Sequence, residues 1–409
     1  MRNRLLRVLA ITMLLAGTAA TVSTASPIPK TGPNVIRGPL DQMAILGASK
    51  PDAFTLVVGT VLSRPNVVLG ADHRRHLAYE LQLLNVAPFP VRLDRIDTLD
   101  AKTGDVLATR RGAALTAVVE RPEGGPFNGE MGGGLSAYAV LDVSLANTGR
   151  LPHALRHRLW ISYSDPRIPN PSPYTTGATR VSQQRPIVIG RPLRGPAWVA
   201  VNGCCEALSG HRGAIIPVNG RLQVAERFAI DFVQLDQQRR LYTGTGTKLS
   251  DYAYFGDDVL SVAGGRVVRT HDGEPEQTPP NTPDEVTPLN AGGNWLVVDI
   301  GGGRFAFYAH LQPHSLTVKV GDRVQRGQVL GLLGNTGNST APHLHFHLMD
   351  GPSPLASNGL PYEFTRFTSP GTVTDENAMF LGRPTPIGPR LAGRHQRQLP
   401  LNLQVVDFG

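Results

Sequence analysis

The sequence predicts an all-β protein: an N-terminal immunoglobulin-like β-sandwich followed by a second domain built on an antiparallel β-sheet. Three observations lead there. Glycine (45) and proline (34) fill about a fifth of the 409 residues, above the roughly 12% of average usage and short of low complexity, so turns are frequent. Short runs alternate apolar with polar residues at a period of two and are broken by Pro, Gly or Asn, the signature of strands. A chain of 409 residues also exceeds one ordinary core, which makes two domains the starting assumption.

Residues 1–25 open with Arg2, Arg4 and Arg7, continue through a mainly apolar stretch from Val8 to Ala16 and end in small residues. That order predicts an export signal, because the apolar stretch falls short of the ~20 residues a spanning helix needs. No membrane span is expected after its cleavage. The sandwich is placed at 50–165, on the runs at 54–61, 77–84, 91–96, 137–145 and 158–163. It lacks an internal cysteine pair, so the immunoglobulin comparison is architectural only. A linker is placed at 166–195, where Pro166, Pro169, Pro171 and Pro173 block regular pairing. The second domain is expected at 196–368 and a C-terminal extension at 369–409, in which 399–408 can form a strand docking on either domain. Within the second domain, residues 272–293 make a long Pro-, Thr- and Asn-rich insertion between two strands, a candidate lid over a groove.

The formal charge is +8, of which the leader carries three, leaving +5, a mild excess that suits an anionic surface. The basic residues are scattered and not organised with stacking aromatics, so no nucleic-acid module is expected. Cys204 and Cys205 are the only cysteines and are adjacent. In an oxidising compartment they can form a vicinal disulfide or a turn.

The strongest local signal is the alternation at 343–348, where His343, His345 and His347 interleave with Leu344, Phe346 and Leu348. In a strand one set packs on a core and the other presents imidazoles two residues apart. Phe228, Ile230 and Phe232 likewise leave Asp231 facing the opposite side, where a carboxylate calls for an ion, a hydrogen bond or a metal. In 304–311 the alternation sets Phe305, Phe307 and Ala309 on one side and Tyr308 and His310 on the other. His211 sits in a glycine-flanked turn. A hydrolytic zinc site uses three nitrogen or oxygen ligands and an open position, where the metal lowers the pKa of its water and polarises the scissile carbonyl. Two histidines and one carboxylate meet that need, and two further histidines are left for proton transfer and oxyanion stabilisation.

These motifs, in order, are Ala229-Ile-Asp-Phe, Val259-Leu-Ser-Val-Ala-Gly-Gly-Arg-Val, Tyr308-Ala-His-Leu, Val320-Gly-Asp-Arg-Val-Gln-Arg-Gly-Gln-Val-Leu-Gly and Gly337-Asn-Ser-Thr-Ala-Pro-His-Leu-His-Phe. With them the stretch from about 211 to 346 resembles the zinc peptidases of the lysostaphin type, the M23 or LytM-like family. The resemblance implies that Asp231 and His345 bind Zn2+ together with an upstream histidine, and that His310 and His343 form the catalytic pair. Many members have the upstream histidine four residues before the aspartate, a place taken here by Arg227. His211 is the nearest replacement, reached through a hairpin that Asn219-Gly220 can turn; His271, or no third histidine, are the alternatives. His347 stands where an acid is more usual, as a partner of the site or a surface residue. The implied activity is an exported zinc metalloendopeptidase acting on peptidoglycan cross-links or stem peptides, in the periplasm or the extracellular cell wall. The alternative is a zinc-free relative that binds and activates a cell-wall amidase. A biotin- or lipoate-carrier reading of 321–331 fails because the nearby Lys319 is not at a hairpin tip. Oligomeric state is not set by the sequence.

Overall fold

The computed structural model describes residues 53–165, 168, 170–205, 208–288 and 290–409. The expected export signal at 1–25 lies outside them. Among the described residues no helix is long and apolar enough to cross a membrane.

The N-terminal domain is two sheets that face each other. One runs Val57–Val61, Arg74–Asn85, Ser136–Ala146, Val119–Glu120, with Asn66–Leu69 also paired to Arg74–Asn85. The other runs Tyr174–Arg180, Ala154–Ser162, Val91–Asp100, Val106–Arg111, with Glu130–Met131 on Val91–Asp100. Period-two alternation makes the core: Leu77, Tyr79, Leu81 and Leu83 from the first sheet meet Leu93, Ile96, Leu155, Leu159 and Ile161 from the second. The Tyr79 hydroxyl bonds across the sheets to His157 Nε2 at 2.7 Å and Thr98 Oγ1 at 3.1 Å, so its buried polar end is satisfied.

The linker expected at 166–195 is corrected. Tyr174–Arg180 is a sandwich strand antiparallel to Ala154–Ser162, and the Tyr174 hydroxyl donates to the Val57 carbonyl. The dense run of prolines ends at Pro173, and the β-branched Thr175, Thr176 and Thr179 that follow suit a strand. Farther on, Ile187–Ile189 already belongs to the second domain, where it pairs parallel to Tyr362–Val373.

The second domain is built on one large sheet, antiparallel apart from that pair, with two small two-stranded sheets beside it. Its central order is Gln404–Asp407, Trp198–Val201, Ile230–Gln234, Leu344–Met349, Arg304–Leu311, Asn294–Gly301, Gly265–His271. The extension at 369–409 is therefore not a separate appendage: Gln404–Asp407 lies between Trp198–Val201 and Tyr362–Val373. Its Val405 and Val406 bury in the main core with Phe228, Ile230, Phe232, Leu344, Phe346 and Leu348.

The two domains are fused along the outer face of the Arg74–Asn85 strand. Val68, Ala71 and Ala78 of the sandwich are buried in the core of the second domain. Glu80, on the same face as Ala78, receives Arg212 and Arg227 from the second domain.

Candidate metal centre

Register brings the ligand-type residues together. Asp231 pairs directly with His345 across neighbouring strands, and Ala309 pairs with His345 from the other side. Since Ile230, Phe232, Leu344 and Phe346 point into the core, Asp231 and His345 share the opposite face, as does His347.

The expectation that Tyr308 and His310 share a face is corrected. Tyr308 is buried in the main core against Phe346, and its hydroxyl accepts from the Val262 N–H at 2.9 Å. Phe307, on the other face, lies over His345 and His347. Strict alternation would send His310 after Tyr308, but His310 has φ 64°, a left-handed backbone that breaks the period. Its ring comes to 4.4 Å from that of His343, centroid to centroid, and 5.9 Å from that of His345.

His211 arrives from the loop after Trp198–Val201. The hairpin expected beyond it is present: Ile216–Val218 pairs with Arg221–Gln223, and Asn219 and Gly220 both have positive φ, as a type I′ turn requires. His271 lies elsewhere, stacked on Trp295 and paired with Glu274.

Asp231 is the hub of the cluster. His345 Nδ1 lies 3.0 Å and His343 Nε2 3.5 Å from its Oδ1, and His211 Nε2 lies 3.2 Å from its Oδ2. His211, Asp231 and His345 offer ligand atoms within 4.8 Å of one another, a grouping fit for a metal ion. The far nitrogens explain why the near ones face inward. His211 Nδ1 donates to the carbonyls of Asn202 and Ala229, both at 3.2 Å. His310 Nδ1 donates to the Thr336 carbonyl at 2.7 Å, and His343 Nδ1 to the Ala341 carbonyl at 2.9 Å. A carbonyl only accepts, so a proton sits on each far nitrogen, and a ring that is neutral offers a lone pair toward the cluster. His345 follows the same scheme when Nε2–H donates to His347 Nδ1 at 2.9 Å. A carboxylate facing three imidazole lone pairs repels them unless a cation or shared protons lie between, which is the physical case for a metal here.

The electrostatics agree with a cation-seeking site. Burial works against ionisation of Asp231, yet His211 and His343, with hydrogen bonds from His211 and His345, hold it well below the usual carboxylate range. Burial likewise opposes charge on His211, and the Asp231 carboxylate outweighs it and raises the imidazole to about 9. Burial, and then the neighbouring imidazoles, push His310 well down. Burial also lowers His343.

The insertion at 272–293 is stitched to the wall of this site. Gly292 O accepts from the His310 N–H at 3.0 Å, Asn335 N donates to Glu276 Oε2 at 2.6 Å, and Asn338 N to Ala291 O at 3.0 Å. Asn202 escaped the sequence reading. Its amide donates to Asp231 Oδ2 at 2.9 Å while its carbonyl accepts from His211. The only hint was the Asn-Gly turn dipeptide at 202–203. Next to it, Cys204 and Cys205 are joined by a disulfide. A second group of ligand-type atoms, His76, Asp142 and Cys205, lies at the domain junction. There Cys205 is held in the disulfide, and both His76 nitrogens are taken by Asp142 at 2.8 Å and Asp72 at 3.1 Å.

Residues 245–357 match the model of peptidase family M23. The chain is 51% identical over 59 residues to the glycyl-glycine endopeptidase ALE-1 of Staphylococcus capitis, which is 14% of this chain and 16% of that protein. It is 31% identical over 126 residues to the peptidoglycan DD-endopeptidase ShyC of Vibrio cholerae, covering 30% of this chain and 26% of that protein. The chain thus spans only 16% and 26% of the length of these two curated relatives. Among solved structures, the catalytic domain of lysostaphin from Staphylococcus simulans aligns at 22% identity over 42% of this chain and 88% of its own, with a TM-score of 0.22.

Proposed function

Since residues 245–357 match the model of peptidase family M23, we propose that the protein is an exported zinc metalloendopeptidase that hydrolyses peptide bonds of peptidoglycan. The observation that carries this is the convergence of His211, Asp231 and His345 on one point, with the His310 and His343 rings in contact beside it. The donor set, two imidazoles and one carboxylate, suits zinc and leaves a coordination position free. When bound, zinc supplies a Lewis acid that polarises a carbonyl and eases deprotonation of water.

His211, Asp231 and His345 would hold the metal, and His347 and Asn202 orient two of them, through the far side of His345 and through Oδ2 of Asp231. His310 and His343 are neutral near pH 7, since burial lowers both, so each can take a proton from the attacking water. The ring that takes the water's proton becomes a donor, so it can hydrogen-bond the oxyanion and then return that proton to the leaving amine. Phe307 covers His345, and the stitched insertion bonds the His310 backbone. Relatives named as a glycyl-glycine endopeptidase and a peptidoglycan DD-endopeptidase support the proposed substrate. Export agrees with that substrate and with the basic, then apolar, then small-residue order of 1–25. The complete ligand set disfavours the zinc-free amidase activator.

The test is release of new peptide ends from purified peptidoglycan by the wild type and by His345→Ala, with and without a chelator, alongside zinc analysis. Wild-type release that the chelator stops and zinc restores, absent in His345→Ala, is expected. A wild type without stoichiometric zinc, or release indifferent to the chelator, would sink the reading.

A further inference from the structure

His211 is a ligand-type residue on a loop, and a loop side chain is only as well placed as the contacts that hold its neighbours. The adjacent residue, Arg212, turns the other way and enters the sandwich, where Nη1 donates to Glu80 Oε1 at 2.8 Å and Nη2 to the Leu141 carbonyl at 2.9 Å. Arg227, in the turn that leads into the Asp231 strand, also turns to the sandwich. Its Nε donates to both Glu80 oxygens at 3.0 Å, and Nη2 reaches Glu80 Oε2 and Ser63. Glu80 is 0% exposed and the two arginines 1% each. One sandwich carboxylate therefore grips both segments that carry the upstream ligands.

We propose that Glu80 is a positioning residue for the metal site: by clamping Arg212 and Arg227 it sets where His211 and Asp231 stand, so the site is completed by the docked sandwich. This rests on the zinc reading above and gives the sandwich a part in it. Two guanidiniums face one carboxylate, so loss of the Glu80 charge leaves two buried cations that repel and release both segments. Other polar contacts join the domains without touching either segment. Gln398 Nε2, for example, donates to the Gly70 carbonyl at 3.0 Å from the far end of the sheet.

Zinc affinity of the full chain, read by competition with a chelator of known affinity, separates positioning from simple glue. Glu80→Gln is expected to bind zinc about 10-fold or more weakly, the range found for residues that support metal ligands. Glu80→Asp, which keeps the charge and so the fold, is expected to shift in the same direction by less. Gln398→Met is expected to melt earlier yet bind zinc as the wild type does. Wild-type affinity in Glu80→Asp and in any folded Glu80→Gln overturns the proposal, as does an equal weakening in Gln398→Met. A wild type that binds no zinc overturns the functional reading itself and this role with it, whereas normal wild-type binding with an indifferent Glu80 overturns only the role.

Discussion

Asp231 and Glu80 are both carboxylates set among cationic-type side chains, with side chains 14% and 1% exposed, and their partners make them opposites. Glu80 faces two guanidiniums, which stay charged at any ordinary pH and have no lone pair to offer. Its oxygens are saturated by donors, and the cluster can do nothing but hold two domains in one arrangement. Asp231 faces imidazoles whose protons are drawn to the far side by carbonyls of Asn202, Ala229 and Ala341. With its rings neutral the cluster has inward lone pairs and one negative charge, a demand for a cation that a proton on His211 meets in part and a metal ion meets in full. Burial and charge alone do not mark a chemical site; the protonation freedom of the partners does.

The sharpest way to break this contrast is to neutralise each carboxylate. Asp231→Asn keeps the shape and removes the charge that three imidazoles share. Zinc is expected to fall below stoichiometric and peptide release from peptidoglycan to drop to background, while the metal-free fold is kept. Stoichiometric zinc in Asp231→Asn would show that the carboxylate is not the hub.

A smaller loss is expected from His310→Ala, which on the proposed roles removes a proton carrier and no ligand. Zinc should remain, and kcat should fall about 100- to 10,000-fold, the usual contribution of a positioned acid or base. Loss of zinc in this variant would move His310 from the catalytic pair to the ligand set.

Next in size is an asymmetry within the clamp, measured by urea unfolding. Glu80→Met strands two buried cations and is expected to cost about 3–5 kcal/mol. Arg227→Met leaves a balanced Glu80–Arg212 pair and should cost clearly less, all the more because Arg227 Nη1 has no partner to lose. Equal costs would mean that the excess positive charge is compensated elsewhere.

The site was more legible in the sequence than the clamp, for a physical reason. Asp231, His345 and His347 lie in strands whose core side is strongly apolar, so a period of two marks their face. His310 was found through its motif, but its face was assigned by an alternation that φ 64° overrides, and no local pattern announces a single left-handed residue. His211 was reachable because Asn219-Gly220 marks the hairpin that follows it. Glu80, by contrast, is separated by 132 and 147 residues from Arg212 and Arg227. On its own strand it reads as an ordinary outward-facing glutamate, and only domain docking makes it buried. The same limit hid Tyr174–Arg180 behind a run of prolines and left the destination of Gln404–Asp407 open, since both depend on which distant edge is free.

The subtlest expected effect repeats the contrast inside the sandwich, between two buried histidines. Burial disfavours the charged ring of His76, but the Asp142 and Asp72 carboxylates outweigh it and raise the imidazole from 6.5 to about 10. Burial lowers His157 from 6.5 to about 4, against the weaker pull of the Gly177 carbonyl. His76 therefore binds its proton more tightly in the fold than in the unfolded chain. Its contribution is complete below pH 6.5 and is lost as pH rises through about 10. His157 has the opposite sign: the unfolded chain binds the proton first, so its contribution is complete above pH 6.5 and is lost as pH falls through about 4. Melting temperatures of the wild type should accordingly show an alkaline decline that His76→Gln lacks and an acid decline that His157→Gln lacks. Parallel profiles for wild type and His76→Gln between pH 6.5 and 10 would mean that His76 is neutral in the fold and that its two carboxylates are balanced by another charge.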